Sequence, residues 1–226
     1  EMRQRIPKQS EAWGPIATLG VGNGKTLEWL AQEQPDSLGR TRAVFVLEPG
    51  VELFRAALML NEWHDDNSPL CERRFTFFVG RHCTAQMLDH LRMDGSSPPP
   101  GLLFQLRSVM NTELDALAKA MPAAHQHFKD AANNSWARVT DSVRSRSPAT
   151  NAAALAAGSG RVLVMTTRFS TVLQHSARDF VKGFQAMDME AELLIEDQPW
   201  HRLTRRYVLE RIESFDPHLV LQIDHD

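Results

Sequence analysis

Cysteine is scarce in this chain, with only Cys71 and Cys83 among 226 residues. They are too few and too far apart for a zinc knuckle or a redox pair, so reduced thiols of a cytosolic protein are expected. Long apolar runs are also missing: none approaches the roughly 18 residues that a membrane helix requires. The opening segment EMRQRIPKQSEAW lacks the apolar centre of a secretion signal. Basic residues are not in excess either. A formal charge of −3 offers no electrostatic reason to bind nucleic acid. No G-x-S-x-G nucleophile turn occurs, which leaves a serine hydrolase without its motif. What remains, 42% hydrophobic and 23% charged, is an ordinary globular composition with material for one large core or two modest ones. The expectation is a cytoplasmic protein with neither a membrane span nor a nucleic-acid partner.

The most informative stretch is PIATLGVGNGKTLEWL, Pro15 to Leu30, where Gly20, Gly22 and Gly24 separate a short apolar run from a helical pattern. Glycines after a strand let backbone approach a phosphate, a ribose or a cofactor carboxylate. The next apolar run, Ala43 to Leu47, finishes on Glu48, where Rossmann-like folds place a carboxylate for ribose hydroxyls. Stricter templates fail. Gly24, Lys25 and Thr26 read like the end of a Walker A loop, but Gly20 and Gly24 enclose three residues where that loop needs four. The dinucleotide fingerprint G-x-G-x-x-G also fails, because its third glycine arrives one residue early. A G-x-G-x-G turn is closer to an S-adenosylmethionine site. A turn that simply packs a helix on a sheet stays open as the alternative.

Further along, PGVELFRAALMLNEW places Leu53, Ala56, Ala57, Leu60 and Trp63 at helical spacing, and RFTFFVG reads as a third strand before a helix at TAQMLDHLRM. Repeated strand-to-helix units imply a parallel sheet. LLFQLRSV supplies a further strand, and NTELDALAKAM a helix capped by Asn111 or Thr112, with a stripe at Leu114, Leu117 and Met121. An alanine-rich stretch then reads as a helix and a linker, with SPATNAAALAAGSG, Ser147 to Gly160, as the domain boundary. Strands at Val162 to Met165, Glu192 to Ile195 and Leu219 to Ile223 alternate with helices at Val172 to Met187 and Thr204 to Phe215. The fold class expected is α/β, with two Rossmann-like parallel-sheet units over 1–146 and 161–226. The second, βαβαβ, is half of a doubly wound domain, and the chain reads as a fragment of a longer enzyme.

In the second unit the strands end on Thr166, Thr167 and Arg168, on Glu196 and Asp197, and on Asp224, His225 and Asp226. All three sets share the carboxyl edge, where α/β ligands bind. Asp224 beside His225 is the candidate catalytic pair, able to take a proton from a hydroxyl; a solvated strand end is the alternative. Thr167 and Arg168 are candidates for holding an anionic acceptor or phosphate, and His201 next to Trp200 for stacking on a sugar or base. His64, Asp65 and Asp66, and the pair His125 and His127, lack the further ligands that zinc requires, so no metal is expected.

The order of LGVGNGKTLEWL, VFVLEPGVELFRAAL and FTFFVG resembles the Rossmann-like region of the motility accessory factor family of flagellin glycosyltransferases. It is also similar to S-adenosylmethionine methyltransferases, although those usually carry an acidic residue where this chain has Thr18. From Arg161 onward, VLVMTTRFSTVLQHSARDFVKGFQAMDMEAELLIEDQPWHRLT and DPHLVLQIDH resemble the amino-terminal half of spore maturation protein CgeB-like glycosyltransferases, with Phe215 to Val220 matching their "F-x-P-D-L-V" phrase. That resemblance implies an acceptor-binding lobe, with the nucleotide sugar held mainly by a second lobe absent here. The expected function is accordingly a glycosyltransferase fragment, inactive alone, that moves a sugar from a UDP- or GDP-type donor to an acceptor hydroxyl on a glycan or protein. Gly20, Gly22, Gly24 and Glu48 form the expected nucleotide site. The alternatives are an S-adenosylmethionine-dependent methyltransferase and a non-catalytic nucleotide-binding or scaffold module.

Overall fold

The computed structural model describes residues 14–65, 68–106 and 111–224. The chain forms two compact units that divide between Gln126 and His127, with Ser37–Gly39 counted in the second. The first contains β1 (Ile16–Leu19), α1 (Lys25–Ala31), β2 (Val44–Glu48), α2 (Val51–Leu60), β3 (Phe75–Val79), α3 (Cys83–Met93) and β4 (Leu102–Gln105). All its strands are parallel, in the order β3-β2-β1-β4. Every residue of β1 and β2 is buried, as central parallel strands covered on both faces must be. Ile16, Val44 and Val46 pack with Leu27 and Leu30 of α1 and Ala57 of α2. Phe45 and Phe78 instead meet His90 of α3, at centroid distances of 5.6 and 5.8 Å.

Helix α2 turns a different face inward from the one its spacing suggests. Phe54, Ala57 and Leu58 join the core, whereas Leu53, Ala56 and Leu60 are exposed. The inward set is still an i, i+3, i+4 stripe, which is the contact face of a helix lying on a sheet. At the amino end of the sheet, the buried Arg74 holds the end of α1. Its Nη2 donates to the carbonyls of Leu30 (2.6 Å) and Ala31 (3.1 Å), and it pairs with Glu72 and Glu33.

A 35-residue helix, α4 (Asn111–Ser145), carries the division between the units and continues through Pro122, where the sequence suggests separate helices and a linker. Proline costs about 3 kcal/mol inside a helix; here helix-favouring Ala, Lys, Gln and Leu on both sides carry the helix past it. The stretch read as a linker is also helical, α5 (Pro148–Ala156). Ser147 caps it by accepting from the Thr150 N–H at 3.0 Å, Pro148 suits its first turn, and the alanines that suggested flexibility are the best helix formers.

The second unit then contains β5 (Arg161–Met165), α6 (Thr171–Gln185), β6 (Glu190–Leu194), α7 (Arg205–Phe215) and β7 (Leu219–Gln222). Its sheet is parallel in the order β6-β5-β7. Strand β6 begins two residues earlier than its apolar run, because the ladder already pairs Arg161 with Glu190. Val162 and Val164 pack with Ala177 of α6; Leu163 and Leu194 pack with Phe215 and Ile212 of α7. The two helices therefore cover opposite faces. Asp216 closes α7 in the left-handed conformation (φ 51°) and takes ion pairs from Arg146 and Arg161. Both units are thus α/β folds with parallel sheets, as the strand-to-helix alternation predicts.

Candidate functional sites at the carboxyl edges

In an open parallel sheet, ligands bind beyond the carboxyl ends of the strands where the winding direction reverses. In the first unit that point lies between β1 and β4, because β2 and β3 follow to one side of β1 and β4 to the other. The turn after β1 occupies it. Gly20 (φ 94°), Gly22 (φ 57°) and Gly24 (φ 84°) all adopt positive φ, a conformation that costs side-chain-bearing residues roughly 1–2 kcal/mol.

The glycines play different parts. Gly22 and Asn23 form the exposed crest of the turn, while Gly24 is buried beneath it. A Cβ on Gly24 would lie 2.5 Å from the Trp63 ring and 2.6 Å from Asn61 Nδ2, so packing alone demands glycine there. Asn61 latches the turn by donating to the carbonyls of Asn23 (3.0 Å) and Ala57 (2.7 Å). The Lys25 ammonium, tempting as a phosphate ligand, pairs with Glu28 at 2.7 Å.

Glu48 is turned inward. It is 1% exposed; its Oε2 accepts from the Val21 N–H and its Oε1 from the Gly50 N–H, each at 2.8 Å. The carboxylate expected to face a ribose therefore pins the glycine turn from the neighbouring strand. Unpaired amides in a protein interior are costly, and a carboxylate that accepts two of them is a strong anchor.

In the second unit the reversal lies between β5 and β7. The buried Thr166 bridges these strands by donating to the Ile223 carbonyl at 3.0 Å. Glu196, 8% exposed, repeats the arrangement seen at Glu48. Its Oε2 accepts from the Arg168 N–H at 2.8 Å and its Oε1 from the Thr167 hydroxyl at 3.3 Å. The registers agree: Leu19 pairs with Leu47 and Met165 with Leu194, so each acid stands level with the residue before the amide it receives. Thr167 also accepts from the Phe169 N–H at 3.4 Å, which commits its hydroxyl to shaping the loop. The Arg168 guanidinium donates through Nη1 to the Glu196 carbonyl at 3.1 Å.

Of the candidate catalytic pair, Asp224 is exposed and accepts from Gln222 Nε2 at 3.3 Å; His225 lies outside the described residues. His201 meets Trp200 edge-on, with centroids 5.8 Å apart. His64 and Asp65 are exposed side chains 3.7 Å apart, and Asp66 lies outside the described residues. His125 and His127 are exposed on α4, where residues two apart point to different sides of the helix. Among the described residues no group of three or more His, Cys, Asp or Glu could hold a metal ion, and no helix is long and apolar enough to cross a membrane.

Sequence reasoning placed Glu196 on the carboxyl edge but not its part in pinning the loop, and it missed Asn61. A signal for that part was present: in both units an acid at or just after the end of the second strand is followed by a proline, Glu48-Pro49 and Glu196-Asp197-Gln198-Pro199. No family model, curated protein or solved structure matches the chain.

Proposed function

We propose that the chain belongs to a glycosyltransferase that moves a sugar from a UDP- or GDP-type nucleotide donor to an acceptor hydroxyl. In this reading the exposed crest of the glycine turn meets a nucleotide, and the carboxyl edge of the second unit serves the acceptor. The observation that carries it is the repeated architecture: each parallel sheet reverses its winding where a loop, pinned by a buried acid from the next strand, comes to the surface. Strand edges of this kind place small polar ligands between a rigid sheet and adjustable loops. Calorimetry of the intact chain with UDP, GDP and S-adenosylmethionine tests it. Binding of UDP or GDP, lost in Gly22→Val with the far-ultraviolet spectrum retained, is the expected result. Binding of S-adenosylmethionine alone would replace the reading with methyl transfer.

A second reading is a non-catalytic scaffold. It is favoured by Gly24 and Glu48, whose internal contacts account for both residues without any ligand. It predicts that none of the three compounds binds.

A further inference from the structure

Ten arginines of this protein are paired with an acid nearby. Arg40, Arg42, Arg55, Arg74, Arg92, Arg138, Arg146, Arg161, Arg206 and Arg211 each have a carboxylate oxygen within 4.0 Å. Arg168 differs. It is partly buried in the loop that follows β5, against Glu196 beyond the neighbouring β6, and among the described residues no carboxylate lies within salt-bridge distance of its guanidinium. Its backbone is held at both ends, the N–H by Glu196 Oε2 and the carbonyl by the Gln174 side chain. The Nη1 contact with the Glu196 carbonyl fixes one edge of the guanidinium and leaves Nε and Nη2 with no partner among the described residues.

We propose that Arg168 binds an oxyanion and that Glu196 is the residue that positions it. A guanidinium fork grips a carboxylate or a phosphate through paired N–H groups, and its side-chain entropy is already partly spent when one edge is anchored. Glu196 achieves this without cancelling the charge: its carboxylate takes the backbone N–H and the Thr167 hydroxyl, and only its main-chain carbonyl touches the guanidinium. The counterpart at Glu48, which pins Val21 in the first unit, shows that anchoring a loop with a buried acid is how both units are built. Asp197 and Asp224 are exposed on the same carboxyl edge. They accept hydroxyl hydrogen bonds, so the ligand class is a hydroxylated compound with one oxyanion group, a carboxylate or a phosphate monoester. That this ligand is the acceptor rests on the transferase reading; its binding does not.

The test follows the arginine Nε–H resonances of the intact chain, with that of Arg168 identified by its loss in Arg168→Lys. Glycerol 1-phosphate and glycerate are the probes, and glycerol is the neutral control. A saturable shift with either anion and none with glycerol is expected, and which anion acts tells a phosphate monoester from a carboxylate. Glu196→Gln should weaken the titration about tenfold or more, the size of one hydrogen bond to a charged group. Glu48→Gln, the matching change in the other unit, should leave it unaltered. No shift with either anion overturns the proposal. Equal titrations in the parent chain and Glu196→Gln, or equal weakening in Glu196→Gln and Glu48→Gln, overturn the positioning role. Should Glu196→Gln fail to fold, Thr167→Val, which removes one of the two contacts of that carboxylate, takes its place with the same expected direction. Because no probe contains a nucleotide, failure of UDP and GDP to bind would count against the transferase reading alone.

Discussion

Gly22 and Gly24 share one turn and the same left-handed conformation, yet they face different neighbours. An alanine at Gly24 meets both backbone strain and the Trp63 ring, and its expected cost is about 2–4 kcal/mol. An alanine at Gly22 meets the strain and only a flexible methyl, Leu106 Cδ1 at 3.0 Å, so about 1–2 kcal/mol is expected. Urea unfolding of the two variants gives the comparison, and Gly22→Ala proving the costlier would contradict the packing described for Gly24. Glu48 belongs to the same scale. The sequence announces an acid after the second strand but not which way it turns, since a carboxylate facing a ribose and one facing two backbone amides occupy the same position in the chain. Only the burial of Glu48 and its two contacts at 2.8 Å separate them.

At the scale of elements, the strands were legible because central parallel strands are short, apolar and bounded by turn residues, as in β1, β2 and β5. The region from Pro122 to Gly160 was not. Proline and small residues look like breaks in a local reading, but α4 continues past one and α5 is built from the others. Cap chemistry holds the clue to α5: Ser147→Ala should remove about 1 kcal/mol of stability, visible as a lower urea midpoint. Arg74 is a larger test. It satisfies carbonyls at the end of α1 and pairs with two acids from inside the fold, so Arg74→Ala leaves buried partners unmatched. The expected loss is about 3–5 kcal/mol, measured by thermal or urea unfolding.

For the molecule as a whole, acid should be the weakening condition. Burial alone would raise the Asp216 carboxyl, but the hydrogen bond from Arg146 and the charges of Arg146 and Arg161 outweigh it and hold the group below its ordinary value of 3.8. A carboxyl that is depressed on folding adds stability above its unfolded pKa and loses that contribution as pH falls through the folded one. The gap in urea midpoint between the parent chain and Asp216→Asn should therefore be full above about pH 5 and close as the solution is acidified below the carboxylate range. Asparagine tolerates the left-handed backbone at this position, so the comparison isolates charge. A gap that widened towards low pH would contradict the assignment. Sequence alone could locate the carboxyl edges at this scale, because topology follows from alternating strands and helices. It hints at a shared construction through an acid and a proline near the end of each second strand, but Glu48 ends β2 whereas Glu196 lies two residues beyond β6. Only the hydrogen bonds to the Val21 and Arg168 amides show that both acids do the same work. That shared construction bears on how such a protein can change over time. With the base of each loop hung on an acid from the adjoining strand through backbone amides, the side chains of Asn23 and Arg168 can be exchanged while those amide contacts stay in place, so new ligand preferences are accessible by single substitutions at little risk to folding.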